Sequence, residues 1–250
     1  MLTFKDIYLI KNKKEILSGV FAKVEDKKIT ALLGRNGSGK SSLLSLITKK
    51  RGFRGDVIFL DEKLSSLSEK EVAKRIAYLP QRIFEPHVKV YDTVAFGRSP
   101  NLDFTARLTE RDREIIHAAM EKVGILELSE RFFDTLSGGE KQKVSLAMIL
   151  AMDTPLIVLD EPTSSLDKCN EAEFLFLVRK LKEEEGKTFL IVLHDLSSAL
   201  EFADNFIVLD NGRIVFSGER EDILKSNVLE ETFHQKRYTR DDGKIFFSAV

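Results

Sequence analysis

The 250-residue sequence holds a single cysteine, Cys169, so it can form no internal disulfide, and no partner cysteines or histidine cluster offer the spacing of a metal site. Cys169 reads as a surface thiol. No run approaches the roughly 18 apolar residues of a membrane-spanning helix. Met1-Leu2-Thr3-Phe4-Lys5 lacks the basic start, apolar centre and small-residue cleavage site of a secretory leader. The expectation is a cytosolic chain that touches a membrane only through a partner. An excess of one charge is missing too: 39 Lys plus Arg stand against 40 Asp plus Glu, a net -1, which gives no global reason to expect nucleic acid or an anionic surface. Internal repeats, long heptad runs and low-complexity linkers are absent. What is left, 43% hydrophobic and 32% charged, suffices for one large α/β domain or a core with a smaller subdomain inserted.

What is present starts with Gly34-Arg35-Asn36-Gly37-Ser38-Gly39-Lys40-Ser41, which fits the phosphate-loop pattern G-x-x-x-x-G-K-[ST] at every required position. Ile29 to Leu33 before it read as a buried strand, and Ser42 to Ile47 after it as a helix with an apolar face. Its glycines let several backbone N–H groups converge on phosphate oxygens, and the following helix turns its positive dipole end to the same spot. Lys40 would neutralise β/γ-phosphate charge. Ser41 suits Mg²⁺, which takes a few protein oxygens plus substrate phosphates. The bland alternative is a glycine-rich turn between strand and helix.

Residues 2–10 and 15–22 read as strands joined by the polar turn Lys11-Asn12-Lys13-Lys14, an antiparallel β-unit. Asp56 to Leu60 is strand-like. Ser68 to Ala73 carries a Ser-x-x-Glu helix start. Ile76 to Gln81 runs as a strand that proline stops at Pro80. Between about 85 and 150 the pattern turns helical, with Thr109 to Val123 opening on Thr-x-x-Asp and Lys141 to Ala151 rich in Leu, Met and Ala. Strands at 156–160, 188–193 and 205–210 then alternate with helices at about 170–184 and 196–203, which implies a parallel sheet with crossover helices. Asn211-Gly212 between two apolar runs predicts a closing antiparallel hairpin. Asp242-Gly243 predicts another at the end of the sequence.

A phosphate loop alone permits kinases, GTPases and helicases, so the second half has to discriminate. Leu156 to Leu159 is an apolar strand ending in Asp160, a position suited to holding Mg²⁺ beside a phosphate loop. Glu161 follows and can orient or deprotonate an attacking water, assistance that typically contributes about 10²–10⁴-fold. Against this stands the reading that both carboxylates merely begin a loop.

Further segments then carry a family resemblance: Leu136-Ser137-Gly138-Gly139-Glu140; Gln81 after Tyr78-Leu79-Pro80; Ser164-Ser165-Leu166-Asp167; and His194 ending an apolar strand before Asp195-Leu196. With the phosphate loop and Asp160-Glu161 they lie in the order of the nucleotide-binding subunit of an ABC transporter, which the chain resembles over roughly residues 2–233. The resemblance implies an α/β P-loop NTPase (RecA-like) core with an antiparallel β-subdomain and an inserted α-helical subdomain. A single ABC ATPase domain over 1–250 would divide into a core of about 1–84 and 152–233, a helical part of about 85–151 and an extension over 234–250.

The same resemblance implies residue roles. Gly34, Arg35, Asn36, Gly37, Ser38, Gly39, Lys40, Ser41 and Ser42 would bind ATP; Ser41, Gln81 and Asp160 would hold Mg²⁺; Glu161, His194, Lys40 and Gln81 would be catalytic. Leu136, Ser137, Gly138, Gly139 and Glu140 would address the γ-phosphate of a second protomer, with Ser165, Leu166 and Asp167 crossing between protomers. The implied partners are integral-membrane permease subunits, a second copy of the chain with ATP, and an external substrate-binding protein, with no nucleic acid. The implied place is the cytoplasmic face of the cell membrane.

Val94-Ala95-Phe96-Gly97-Arg98-Ser99-Pro100, before Asn101-Leu102, resembles a stretch of importers for iron chelates, haem and vitamin B12. Two positions depart from the family pattern. Lys27 stands where glycine is usual, and the adenine-stacking aromatic falls at about Lys11, with Tyr8 the nearest ring. The alternatives are a non-transport ABC ATPase, expected to carry a long coiled coil or tandem cassettes, and another P-loop phosphotransferase, which would lack a signature segment.

Overall fold

Ten residues of β1 (Leu2–Lys11) and eleven of β2 (Lys14–Val24) pair antiparallel from Leu2 opposite Val24 to Lys11 opposite Lys14. The turn residues Asn12 and Lys13 both take left-handed φ, +51° and +63°, the backbone twist that two-residue hairpins require. The expected β-unit is therefore present, each strand running slightly beyond its predicted end. The computed structural model describes residues 1–48, 52–81, 87–103, 107–240 and 245–249. These form two compact units, Met1–Ser68 with Lys182–Val250, and Glu69–Leu181.

In the first unit, β3 (Ile29–Leu33) leads to the phosphate loop and α1 (Lys40–Ser45). Then β4 (Phe53–Phe59) pairs antiparallel with the free side of β1, and β5 (Glu62–Lys63) follows it, giving a sheet ordered β2-β1-β4-β5. Leu2, Phe4, Ile7, Leu17, Val20 and Val24 on β1 and β2 are all fully buried, so this sheet turns one face to the core. Every residue of β3 is buried. Lys27, in the turn before β3, does occupy a left-handed conformation at φ +54°, and its N–H donates to Thr188 Oγ1 at 2.8 Å.

The second unit contains α2 (Glu69–Ala73), β6 (Ile76–Leu79), α3 (Val90–Ala95), α4 (Glu110–Lys122), α5 (Gly138–Ala151) and β7 (Leu156–Leu159). It also contains most of α6 (Lys168–Glu185). Strands β6 and β7 are parallel, with Leu79 opposite Leu159. As its sequence predicts, α4 begins on a reciprocal cap between Thr109 and Asp112. Asp112 also accepts from Arg98 Nε at 2.9 Å, and Arg98 donates from a second nitrogen to Ala151 O at 2.7 Å. Next to Arg98, a Cβ on Gly97 would fall 2.1 Å from Met148 O. Gly97 and Arg98 thus serve the packing of this helical region.

The chain returns to the first unit with β8 (Thr188–Val192), α7 (Leu196–Phe202), β9 (Asn205–Asp210) and β10 (Arg213–Glu219). Strand β3 lies between β8 and β9, parallel to both, and β10 pairs antiparallel with β9. That is the expected parallel arrangement with one antiparallel closing hairpin. Helices α8 (Arg220–Lys225) and α9 (Val228–Phe233) were not anticipated from sequence. Strands β11 (Gln235–Thr239) and β12 (Ile245–Ala249) form the predicted terminal hairpin, while its turn at Asp242-Gly243 lies outside the described residues. Arg237 anchors it, bonding Leu224 O at 2.7 Å and pairing with Glu230 at 2.9 Å. Among the described residues no helix is long and apolar enough to cross a membrane.

Candidate active site

In the first unit, the phosphate loop leaves the C-terminal end of β3. A parallel strand buried on both faces ends where its backbone can turn outward, and open α/β sheets place ligands at that edge. The loop is tightly seated: a Cβ on Gly34 would meet Leu209 O at 2.3 Å, so only glycine fits there. Ser38 N donates to Arg35 O at 3.1 Å. The Ser38 hydroxyl is buried, 5% exposed, and has no hydrogen-bond partner in the protein, which fits an oxygen-rich ligand in this loop. Lys40 is equally buried and donates to Gly34 O at 2.7 Å and Arg35 O at 3.2 Å. Its ammonium thus closes the loop on itself. Arg35, Asn36, Gly37 and Ser41 are exposed around it and Ser42 is half-buried.

Helix α1 begins and ends two residues earlier than predicted. It gives way after Ser45 to i→i−3 bonds from Leu46 to Leu43 O and from Ile47 to Leu44 O, which tighten the last turn. His194 lies two residues beyond β8, and β8 runs parallel to β3 with Val192 opposite Leu32. The phosphate loop and His194 therefore emerge from the same end of neighbouring strands. His194 is exposed there.

In the second unit the same logic applies to β6 and β7. Gln81 and the Asp160-Glu161 pair follow the C-terminal ends of these two parallel strands, and Asp160 N donates to Leu79 O at 2.9 Å. The Gln81 side-chain amide donates to Glu161 Oε2. Glu161 has φ +54°, an outlier for a bulky residue and more so before Pro162, which favours extended backbone in its predecessor. Such strain persists only where surroundings impose it and is common at reaction centres.

Asp160 is 4% exposed and accepts from the Tyr78 hydroxyl at 3.2 Å. Burial, and then the Asp160 charge, push the Tyr78 phenol well above its usual range, so it stays a donor. In the sequence Tyr78 counts only as a strand residue and as the start of the Tyr-Leu-Pro run before Gln81. Tyr78 is half-buried among buried Ile76, Ala77 and Leu79, and a tyrosine in an otherwise aliphatic strand is the one sequence signal that singles it out.

The segment Leu136–Glu140 differs from expectation in one respect. Helix α5 starts at Gly138, not Lys141, because Ser137 and Glu140 form a reciprocal cap: Ser137 N and Oγ each donate to Glu140 Oε2 at 2.8 Å, and Glu140 N to Ser137 Oγ at 3.3 Å. The two glycines are thus the first helical turn. Leu136 is buried, whereas Ser137 and Gly138 are exposed. The backbone N–H of Ser137, first, and its hydroxyl hold the Glu140 carboxyl below its usual range.

Ser165 and Asp167 are exposed and Leu166 half-buried in the loop before α6. Asp167 accepts from Asn170 N at 2.9 Å and from its amide at 2.7 Å, which lowers the Asp167 pKa. A Cβ on Gly139 would come within 3.0 Å of Asn170 Oδ1, so the start of α5 packs against the start of α6. Cys169, in that same first turn of α6, is free and exposed, as expected.

Lys11 ends β1 exposed to solvent. The Tyr8 ring is covered by the Arg54 guanidinium, 5.2 Å from the ring centroid.

Comparison with known proteins agrees with these motifs. The model of the ABC transporter family matches residues 17–164. The iron(3+)-hydroxamate import ATP-binding protein FhuC of Bacillus subtilis is 38% identical over 82% of this chain and 77% of its own length. The ferric enterobactin transport ATP-binding protein FepC of Escherichia coli is 34% identical over 92% of this chain and 86% of its own. Among solved structures, a chain of a proposed metal-chelate type ABC transporter in an inward-facing conformation superposes with a TM-score of 0.85 at 25% identity, covering 100% of this chain and 97% of that one. Such cassettes share the P-loop NTPase fold, and the phosphotransferase alternative falls away. A phosphate loop, a strand-end carboxylate pair and a capped Ser-Gly-Gly helix start are therefore found in a chain that belongs to the ABC transporter family, as an ATP-binding subunit that hydrolyses ATP.

Proposed function

We infer that this subunit powers uptake of an iron chelate, or of a related haem or cobalamin-type cargo, through a membrane permease. The observation that carries the cargo class is the naming of FhuC and FepC for iron(3+)-hydroxamate import and ferric enterobactin transport, at identities above 30% over most of this chain. In this reading two copies associate head-to-tail with ATP between them and bind permease subunits from the cytoplasmic face of the cell membrane, while the permease takes cargo from an external binding protein. A core of about 1–84 and 152–233 would bind nucleotide, and the helical part of about 85–151 would meet the permease.

The loop N–H groups from Gly34 to Ser42 bind and orient the phosphates, and Lys40 exchanges its two carbonyl partners for phosphate oxygens. Ser41, Gln81 and Asp160 offer only hard oxygen donors, the set Mg²⁺ prefers; with its Nε2 directed to Glu161, Gln81 keeps its amide oxygen for that purpose. Mg²⁺, when bound, neutralises charge developing on the phosphates. Glu161 takes the proton of the attacking water, and His194 contacts the γ-phosphate. Ser137 to Glu140 address the partner copy's nucleotide, with Ser165 to Asp167 crossing toward it.

Reconstitution of the subunit with its permease and binding protein in vesicles tests the reading. ATP turnover should rise when the binding protein carries a ferric chelate. Stimulation by haem or cobalamin alone would move the cargo within the proposed group, and no stimulation by any of the three would defeat the import reading.

A further inference from the structure

The Asn211-Gly212 turn of the β9–β10 hairpin lies 170 residues along the chain from the phosphate loop's Ser41, yet three strands of contact meet at Gly212. Gly212 N donates to Ser38 O at 3.0 Å, inside the loop. Gly212 O accepts from Ser18 N at 2.9 Å, on β2. Gly212 has φ +77°, and a Cβ there would fall 2.4 Å from Ile16 O. The β1–β2 register explains that carbonyl's position: Leu9 pairs with Leu17 and Ile10 with Glu15, so Ile16 bulges. The bulged backbone also abuts the loop from its other end, since a Cβ on Gly39 would meet Leu17 Cδ2 at 2.9 Å and Ile16 O at 3.2 Å. All of these residues belong to the first unit.

The bond to Ser38 O has a directional consequence. No peptide bond among the described residues is cis. In a planar trans peptide the carbonyl and the next N–H point opposite ways. Drawing the Ser38 carbonyl toward Gly212 therefore turns the Gly39 N–H away from the hairpin. A free Ser38–Gly39 peptide could rotate as a unit, because the flanking glycine tolerates either sign of φ.

We propose that Gly212 is a positioning residue of the nucleotide site: its N–H, held by β2 and by the left-handed turn, fixes the Ser38–Gly39 peptide so that the Gly39 N–H faces phosphate. This rests on the reading of residues 34–42 as the ATP-binding loop. Gly212→Ala keeps the N–H but adds a Cβ where Ile16 O leaves no room, so the turn must shift and the bond to Ser38 O loosens. Asn211→Gly is the companion variant, which keeps both the left-handed turn and the Gly212 contacts.

The test is titration of ATP and of ADP against wild type, Gly212→Ala and Asn211→Gly at a temperature well below each variant's unfolding midpoint. Gly212→Ala should weaken both nucleotides about tenfold or more, the size of one phosphate-directed hydrogen bond, while Asn211→Gly stays within about twofold of wild type. A Gly212→Ala protein with a lowered melting temperature but wild-type affinity would reduce Gly212 to a structural glycine and overturn the inference. Should Gly212→Ala not fold, amide exchange in wild type decides: by linkage, saturating ADP should slow exchange of the Gly212 amide, and unchanged exchange counts against the proposal. A wild type that binds neither nucleotide would remove the functional reading itself, an outcome distinct from both.

Discussion

Glu161 accepts a hydrogen bond from the Gln81 side chain while its own backbone is held at φ +54° directly before Pro162. Two residues at the ends of parallel strands are thereby coupled, one proposed as base and the other as a metal-side ligand. A carboxylate aimed by a strained backbone and a neighbouring amide is pre-set for one direction of attack, which is where catalytic advantage from positioning arises.

Glu161→Gln preserves shape and the left-handed residue but removes the base. Steady-state phosphate release should fall at least ~10²-fold, because a general base acts mainly in the transition state. Equilibrium ATP binding should persist. Turnover within a few-fold of wild type would take Glu161 out of that role.

The cap of α5 gives a paired prediction. Ser137→Ala should lower unfolding free energy by about 1 kcal/mol, the usual value of an N-cap. Ser137→Arg should bear the same loss and in addition abolish hydrolysis with ATP affinity nearly unchanged, since the charge would sit on the exposed helix start that addresses the partner's nucleotide. If light scattering shows Glu161→Gln protein still monomeric at saturating ATP and Mg²⁺ with the permease present, the two-copy arrangement fails.

Acid should expose the reciprocal half of that cap. The Glu140 pKa is depressed in the folded chain, first by the Ser137 backbone N–H. A depressed carboxylate contributes stability above its unfolded pKa, about 4.3 for Glu, and the contribution is lost as pH falls through the folded value. The advantage of wild type over Glu140→Gln in urea unfolding should be full near neutrality and shrink below about pH 4. An advantage that does not vary with pH would mean that the carboxylate charge plays no part.

Arg98 and Asp112 form a pair with side chains only 8% and 10% exposed. Arg98→Met leaves the buried Asp112 charge with its Thr109 cap but no ion-pair partner, and removes the donor to Ala151 O, so unfolding free energy should drop by about 3–5 kcal/mol. Arg98→Lys should recover only part, because one ammonium cannot span both acceptors. A loss under about 1 kcal/mol, the surface-pair range, would show that water reaches the pair.

The adenine end of the site tests the Lys11 departure. Base–aromatic stacking is worth about 1–3 kcal/mol in single-strand binders, and Lys11 has no ring. Lys11→Tyr should tighten ATP by roughly 1 kcal/mol, about fivefold, and wild type should separate ATP from GTP weakly. A large loss in Tyr8→Ala with no gain in Lys11→Tyr would locate the base against Tyr8, whose ring Arg54 already covers.

Local signals carried much of the architecture. The phosphate loop, the Asn211-Gly212 hairpin and the Thr109 cap are written in neighbouring residues, and each appears where those residues put it. The sequence expectation starts α5 at Lys141, three residues late, because two adjacent glycines disfavour helix, although Ser137 and Glu140 spell a capping box. Other features depend on distant chain: the pairing of β4 with β1, the Tyr78–Asp160 bond across 82 residues, and the reach of Gly212 to Ser38. Burial and sheet order create those, and no window of sequence contains them.

Asp167 grips Asn170 through both backbone and side chain, and Asn170 in turn bears on Gly139. Because Gly139 has no Cβ, the Asn170 amide lies close against the helix backbone itself, and the beginnings of α5 and α6 share one residue as their spacer. Any side chain at position 139 would have to displace Asn170, and with it the two bonds that shape the loop at Asp167.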